Sequence, residues 1–140
     1  MKLEFPLMSD LREFRRVCHE GARLTGGRVT EFRVSDRVTP NFHQGIVDYG
    51  DRTVAVVIAR DTGAVAVAEP RSLDGDWGPL TFVDLPDLIG ALAFAGEFRV
   101  LTPEELAAPL DPARWPELSA YDIRSWKPES TGAALFNFWD

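Results

Sequence analysis

The chain has 140 residues, 45% of them hydrophobic and 26% charged, with a formal net charge of −7. That length and composition suit one domain with a substantial core, and they exclude a disordered or low-complexity chain. The lone cysteine, Cys18, excludes an intramolecular disulfide and a zinc site built on several cysteines, and no run approaches the roughly 18 apolar residues of a membrane span.

The first residues, MKLEFPLMSD, lack the long apolar stretch of a signal peptide, so a cytoplasmic protein is expected. The stretch SDLREFRRVCHEGARLTGG then predicts a helix. Ser9 or Asp10 can cap it, and Leu11, Phe14, Val17, Cys18, Ala22 and Leu24 fall on one face. Gly26 and Gly27 end it, while Arg12, Arg15, Arg16 and Arg23 lie away from the apolar seam. From Arg28 onward the period changes to two. RVTEFRVSD alternates Phe32 and Val34 against Glu31 and Arg33, as a half-buried strand should. After a turn at Thr39-Pro40-Asn41, the strands FHQGIVDY and RTVAVVIAR are joined through Gly50-Asp51, and Asp61-Thr62-Gly63 reverses the chain into AVAVAE. The run TVAVVIA is apolar on both faces, which places it centrally in an antiparallel meander covered on both sides.

The stretch PRSLDGDWGP reads as a loop, followed by a short strand LTFV. Asp84 is the expected cap of a helix with the stripe Leu85, Leu88, Ile89 and Leu92, stopped at Gly96, and FRVLT is a further strand candidate. Thr102-Pro103-Glu104-Glu105 combines an N-cap, a proline at the first helical position and a glutamate at the third; Pro109 keeps that helix short. Asp111-Pro112 predicts another, through Leu118. Ser130 or Thr131 can cap a last helix whose apolar stripe is Leu135, Phe138 and Trp139. These elements make an α+β fold: an N-terminal helix, a β-meander of about four strands, and C-terminal helices packed on the sheet, all in a single domain over residues 1–140.

Charge is distributed unevenly. Residues 1–60 carry ten Lys/Arg against eight Asp/Glu, whereas residues 61–140 carry five against fourteen. An acidic chain repels phosphate backbones, so direct nucleic-acid binding is disfavoured and a basic protein partner is the natural consequence. Charge used only for solubility is the plain alternative.

Chemistry has few candidates. The chain has two histidines: His19, next to Cys18 on a helix where neighbours diverge by about 100°, and His43, five positions from Asp48 on a strand. A cysteine on an apolar stripe is better read as a small core residue than as a nucleophile. No zinc-protease, nucleophile-elbow, P-loop or dinucleotide motif occurs. In LDGDWG, Asp74 and Asp76 resemble part of a calcium loop, but the third oxygen ligand and later glutamate are absent in register, so a turn with solvated carboxylates is expected. Trp77 in that loop is either tucked beneath it or displayed as an interface anchor. No cofactor, metal or catalytic residue is therefore assigned.

The end of the chain concentrates aromatics where chains usually fray, so this segment should dock on its own core or on a partner. The pattern Trp126-Lys127-Pro128, Gly132, Phe136-Asn137, Trp139-Asp140 resembles the ends of small bacterial immunity proteins of polymorphic-toxin loci. The resemblance implies a non-enzymatic inhibitor that binds a cognate toxin. Physically, Pro128 forces Lys127 extended, Gly132 allows close packing at the helix start, and the aromatics anchor the end. An acidic surface fits the cationic cleft of a toxin that cuts nucleic acid, and Asp61, Glu69, Asp74, Asp76 and Trp77 are the expected partner-binding residues. The alternative is a small-molecule-binding domain with an aromatic pocket near Trp126 and Trp139; a small enzyme ranks third.

Overall fold

Six of the seven residues in Thr53–Ala59 are apolar, so a strand there has to be covered on both faces. The computed structural model, which describes residues 8–36, 39–72 and 78–137, meets that demand with a four-stranded antiparallel sheet between two layers. The strands β1 (Arg28–Arg33), β2 (Phe42–Asp48), β3 (Thr53–Ala59) and β4 (Val65–Ala68) lie in sequence order, with Val47 opposite Val54 and Val56 opposite Val67.

Alternation sorts the side chains into two cores of different grain. Val47, Val54, Val56, Ile58, Val65 and Val67 face α1 (Met8–Leu24) and α2 (Pro86–Ala95), whose Phe14, Val17, Cys18, Leu88 and Leu92 pack onto them. The other face is a floor of Ala55, Ala59, Ala66 and Ala68 with Val57. Small side chains there leave room for large ones above, and Phe42, Trp115, Leu135 and Phe136 fill it. The upper layer comes from α3 (Pro103–Ala107), a 3-10 turn at Pro112–Arg114, α4 (Ala120–Trp126) and α5 (Thr131–Leu135).

Glycines mark the tightest approaches. A methyl group on Gly45 of β2 would lie 2.9 Å from the Cys18 sulfur, and one on Gly132 of α5 would lie 2.5 Å from the Phe82 ring. Each layer therefore presses on the sheet or its cover through a position where only hydrogen fits.

Several local expectations change. Met8 already belongs to α1, so Ser9 and Asp10 lie inside the helix rather than capping it, and Leu24 is exposed. A bulge between Val29 and Glu31 breaks the expected alternation of β1 and turns both Val29 and Phe32 towards the helix layer. LTFV and FRVLT supply single bridges, Ala68 to Phe82 and Val65 to Val100, which cover the outer edge of β4 without forming strands. Leu85, not Asp84, occupies the N-cap of α2, with Pro86 in its first turn. The segment after Asp111 makes only one 3-10 turn, and α5 ends at Leu135, with Phe138 and Trp139 outside the described residues. Lys127 is left-handed, with φ +47°, rather than extended, because its N–H closes α4 on the Ile123 carbonyl at 2.9 Å. The capping box at Thr102 and Glu105 forms as expected, with the Thr102 N–H 2.9 Å from Glu105 Oε1.

Candidate functional site

The groups most able to do chemistry are built into the core. Cys18 is fully buried on α1, and burial pushes its thiol far up, away from the thiolate that a nucleophile needs. His43 is 3% exposed; its Nδ1 accepts the Ser35 backbone N–H at 3.0 Å. Burial, reinforced by the nearby positive charges of Arg60 and Arg15, lowers its pKa to about 4, so the ring is neutral at physiological pH. His19 instead lies edge-on to Phe32 at 5.5 Å. Among the described residues no group of three or more His, Cys, Asp or Glu side chains could hold a metal ion, and no helix is long and apolar enough to cross a membrane.

Around His43 the polar groups form a lock on the chain end. Asn41 donates through Nδ2 to the Leu135 carbonyl at 2.9 Å and to Asp61 Oδ2 at 3.0 Å, and its Oδ1 accepts the Asn137 N–H at 2.7 Å. The Asn41 N–H returns to the Asn137 carbonyl at 3.0 Å. Arg60 donates to the carbonyls of Ser35 and Pro40. With Leu135 fully buried and Phe136 2% exposed, the part of the terminus up to Asn137 docks on the protein's own sheet. The composition of the end suggested docking, but Asn41 as its receptor carried no sequence signal, since a turn asparagine is ordinarily read as a turn former.

The expected binding residues separate. Asp61 sits on the β3–β4 turn, bonded to Asn41, whereas Glu69 follows β4 at its other end, its backbone N–H bonded to the Thr81 carbonyl. Both are exposed, at opposite ends of one strand. Asp74, Asp76 and Trp77 lie outside the described residues. The chain just before them is held firmly: the buried Gln44 side chain exchanges two hydrogen bonds with the Arg71 backbone, at 2.8 and 2.9 Å, and Arg33 donates to the Arg71 carbonyl at 2.8 Å.

The display that sequence reasoning missed is α4. Ser119 caps it, accepting the Asp122 N–H at 3.3 Å, and it contributes no fully buried residue. Tyr121 is 69% exposed and Trp126 46% exposed. An isolated seven-residue helix is unstable in water, so caps and flanking chain must hold this one. Exposed carboxylates flank it at Glu117 and Glu129. Between Pro103 and Asn137 the chain carries six carboxylates and three basic residues, and no ion pair forms among the described residues there. The three ion pairs of the described residues are Arg16–Glu13, Arg23–Glu20 and Arg33–Glu31. Of the four α1 arginines that lie away from the apolar seam, Arg16 and Arg23 pair within their own helix. The hydrogen bond from Arg16 holds the Glu13 carboxyl below its ordinary pKa, and that from Arg23 does the same for Glu20.

Trp126 is half-exposed and Trp139 lies outside the described residues, so the aromatic pocket expected near them falls partly outside what the structure describes. Comparison of the chain with protein-family models, with curated proteins and with solved structures gives no match.

Proposed function

We propose that this protein is a non-enzymatic binding protein of the immunity type, which neutralises a cognate bacterial toxin by covering a basic surface on it. The observation that carries the reading is α4: a capped helix that contributes no fully buried residue while displaying Tyr121 and Trp126. Tyrosine and tryptophan are among the side chains that dominate interface energetics when a partner desolvates them. The carboxylates of the C-terminal region, unpaired with any described base, supply the field that speeds the approach of a cationic partner. Asp61, Glu69, Asp74 and Asp76 belong to this proposal as steering charges, and Trp77 as a second anchor. A nuclease with a cationic cleft is the toxin class that such a surface fits.

The test is binding kinetics against the toxin encoded beside this chain, at low and high salt, with survival of toxin-expressing cells as the biological readout. Tyr121→Ala combined with Trp126→Ala should speed dissociation at least about tenfold in protein that still unfolds cooperatively. Glu117→Gln combined with Glu129→Gln should slow association and flatten its salt dependence. Unchanged rates in both variants would remove α4 from the interface. Absence of any complex with that protein would remove the immunity reading itself.

A further inference from the structure

Within the C-terminal layer an open cavity of about 230 Å³ is walled by Val100, Leu101, Ala108 and Pro109. Its volume is below the roughly 300–1,000 Å³ of sites for drug-sized ligands, so an occupant has to be small. Two cations, Arg99 and Arg114, and two carboxylates, Glu105 and Asp111, also line it. None of the four pairs with another within ion-pair distance among the described residues. Opposite charges left apart around a small cavity ask for a ligand that carries both signs. A simple carboxylate would meet Glu105 and Asp111, and a simple amine would meet the two arginines.

Arg99 is prepared for such a ligand. Its guanidinium carbon lies 3.6 Å from the centroid of the buried Trp115 ring, and its backbone carbonyl accepts the Val65 N–H of β4 at 2.8 Å. One N–H reaches the Arg114 carbonyl at 3.3 Å, leaving the other donors of the fork without a partner among the described residues. Stacking fixes the plane in which those donors point, so little freedom remains to be lost on binding a carboxylate. On the acidic side, Asp111 Oδ1 accepts the Ala113 N–H at 3.1 Å and Glu105 Oε1 accepts the Thr102 N–H at 2.9 Å, so both carboxylates are anchored by one oxygen. We infer that this cavity is a binding site for a free α-amino acid with a short apolar side chain: its carboxylate on the Arg99 fork, its ammonium towards Asp111 and Glu105, and its side chain against the Leu101 and Pro109 wall.

This site is distinct from α4, and its test uses the protein alone, so the outcome leaves the toxin-binding proposal untouched. The full chain is titrated calorimetrically with L-leucine, with 4-methylpentanoate, which lacks the amine, and with 3-methylbutylamine, which lacks the carboxylate. Saturable one-to-one binding of leucine is expected, with each analogue about tenfold weaker or more, because each lacks one charge-assisted contact. Arg99→Gln should weaken leucine and 4-methylpentanoate about tenfold while sparing the amine. Asp111→Asn, which keeps the cap of the 3-10 turn, should weaken leucine and the amine while sparing 4-methylpentanoate. Analogues that bind as well as leucine, leucine affinity unchanged in either variant, or no saturation by leucine up to about 10 mM would overturn the assignment. If Arg99→Gln unfolds, the wild-type analogue series and Asp111→Asn still decide it.

Discussion

The two faces of the sheet are filled by opposite strategies. On the α1 and α2 side, β-branched strand residues meet a long helix whose own charges are largely paired: Arg16 with Glu13, Arg23 with Glu20, and Arg15 stacked 5.4 Å over the Phe32 ring. On the other side, an alanine floor receives aromatics from short segments that carry no ion pair among the described residues. Both faces carry an apolar core and each side exposes aromatic surface, Phe94 of α2 on one and Tyr121 and Trp126 of α4 on the other, but only the C-terminal side lacks an ion pair among the described residues. A long helix with i, i+3 pairs is self-contained. A string of short helices joined by proline-bearing turns is held by side-chain locks, and its outer surface is free to specialise.

The sharpest test of this comparison sets one buried phenylalanine from each face against the other. Phe14→Ala and Phe136→Ala, removing rings that are 1% and 2% exposed, should each cost about 3–5 kcal/mol in urea unfolding. A much smaller cost for Phe136→Ala alone would make the C-terminal layer an appendage rather than half of the core.

A second test concerns the polar lock where the faces meet. His43 has a pKa of about 4 in the folded protein, against an ordinary value of 6.5 when unfolded. Between these values the unfolded chain binds more protons, so stability is fully present above about pH 6.5 and is lost as pH falls through 4. The contribution is up to about 3 kcal/mol. Unfolding free energies measured from pH 7 to pH 4 should fall more steeply in the wild type than in His43→Gln; parallel curves would mean that the ring is not held neutral.

The smallest expected effects come from the two glycines. Gly45→Ala would set a methyl group 2.9 Å from Cys18 Sγ and 3.0 Å from the Phe32 ring, and Gly132→Ala one 2.5 Å from Phe82 and 3.3 Å from the Leu106 carbonyl. Each should cost about 1–3 kcal/mol by overpacking. Gly132→Ala is expected at the upper end, because one of its neighbours is backbone and yields less than a side chain. The reverse order in melting temperature would make the α1 layer the stiffer of the two.

Much of this architecture was legible from neighbouring residues. The α1 stripe, the four strands with their turns, the Leu88, Ile89 and Leu92 seam of α2 and the Thr102 capping box all follow from periodicity and local hydrogen-bonding groups. Such signals depend on residues at most a few positions apart, so one chain displays them completely. The doubly apolar β3 also required two covering layers. What covered the second face was decided by contacts spanning the chain, as when Asn41 bonds to Leu135 and Asn137 across 94 and 96 positions. The bulge in β1 and the bridges on β4 depend likewise on which strand lies alongside. The same holds for function. Composition located the acidic half, but the strand between Asp61 and Glu69 sets those carboxylates apart, and the exposure of Tyr121 and of about half of Trp126 follows from how α4 and α5 are placed. Exposure is what remains after every other segment has taken its place, so no local pattern encodes it.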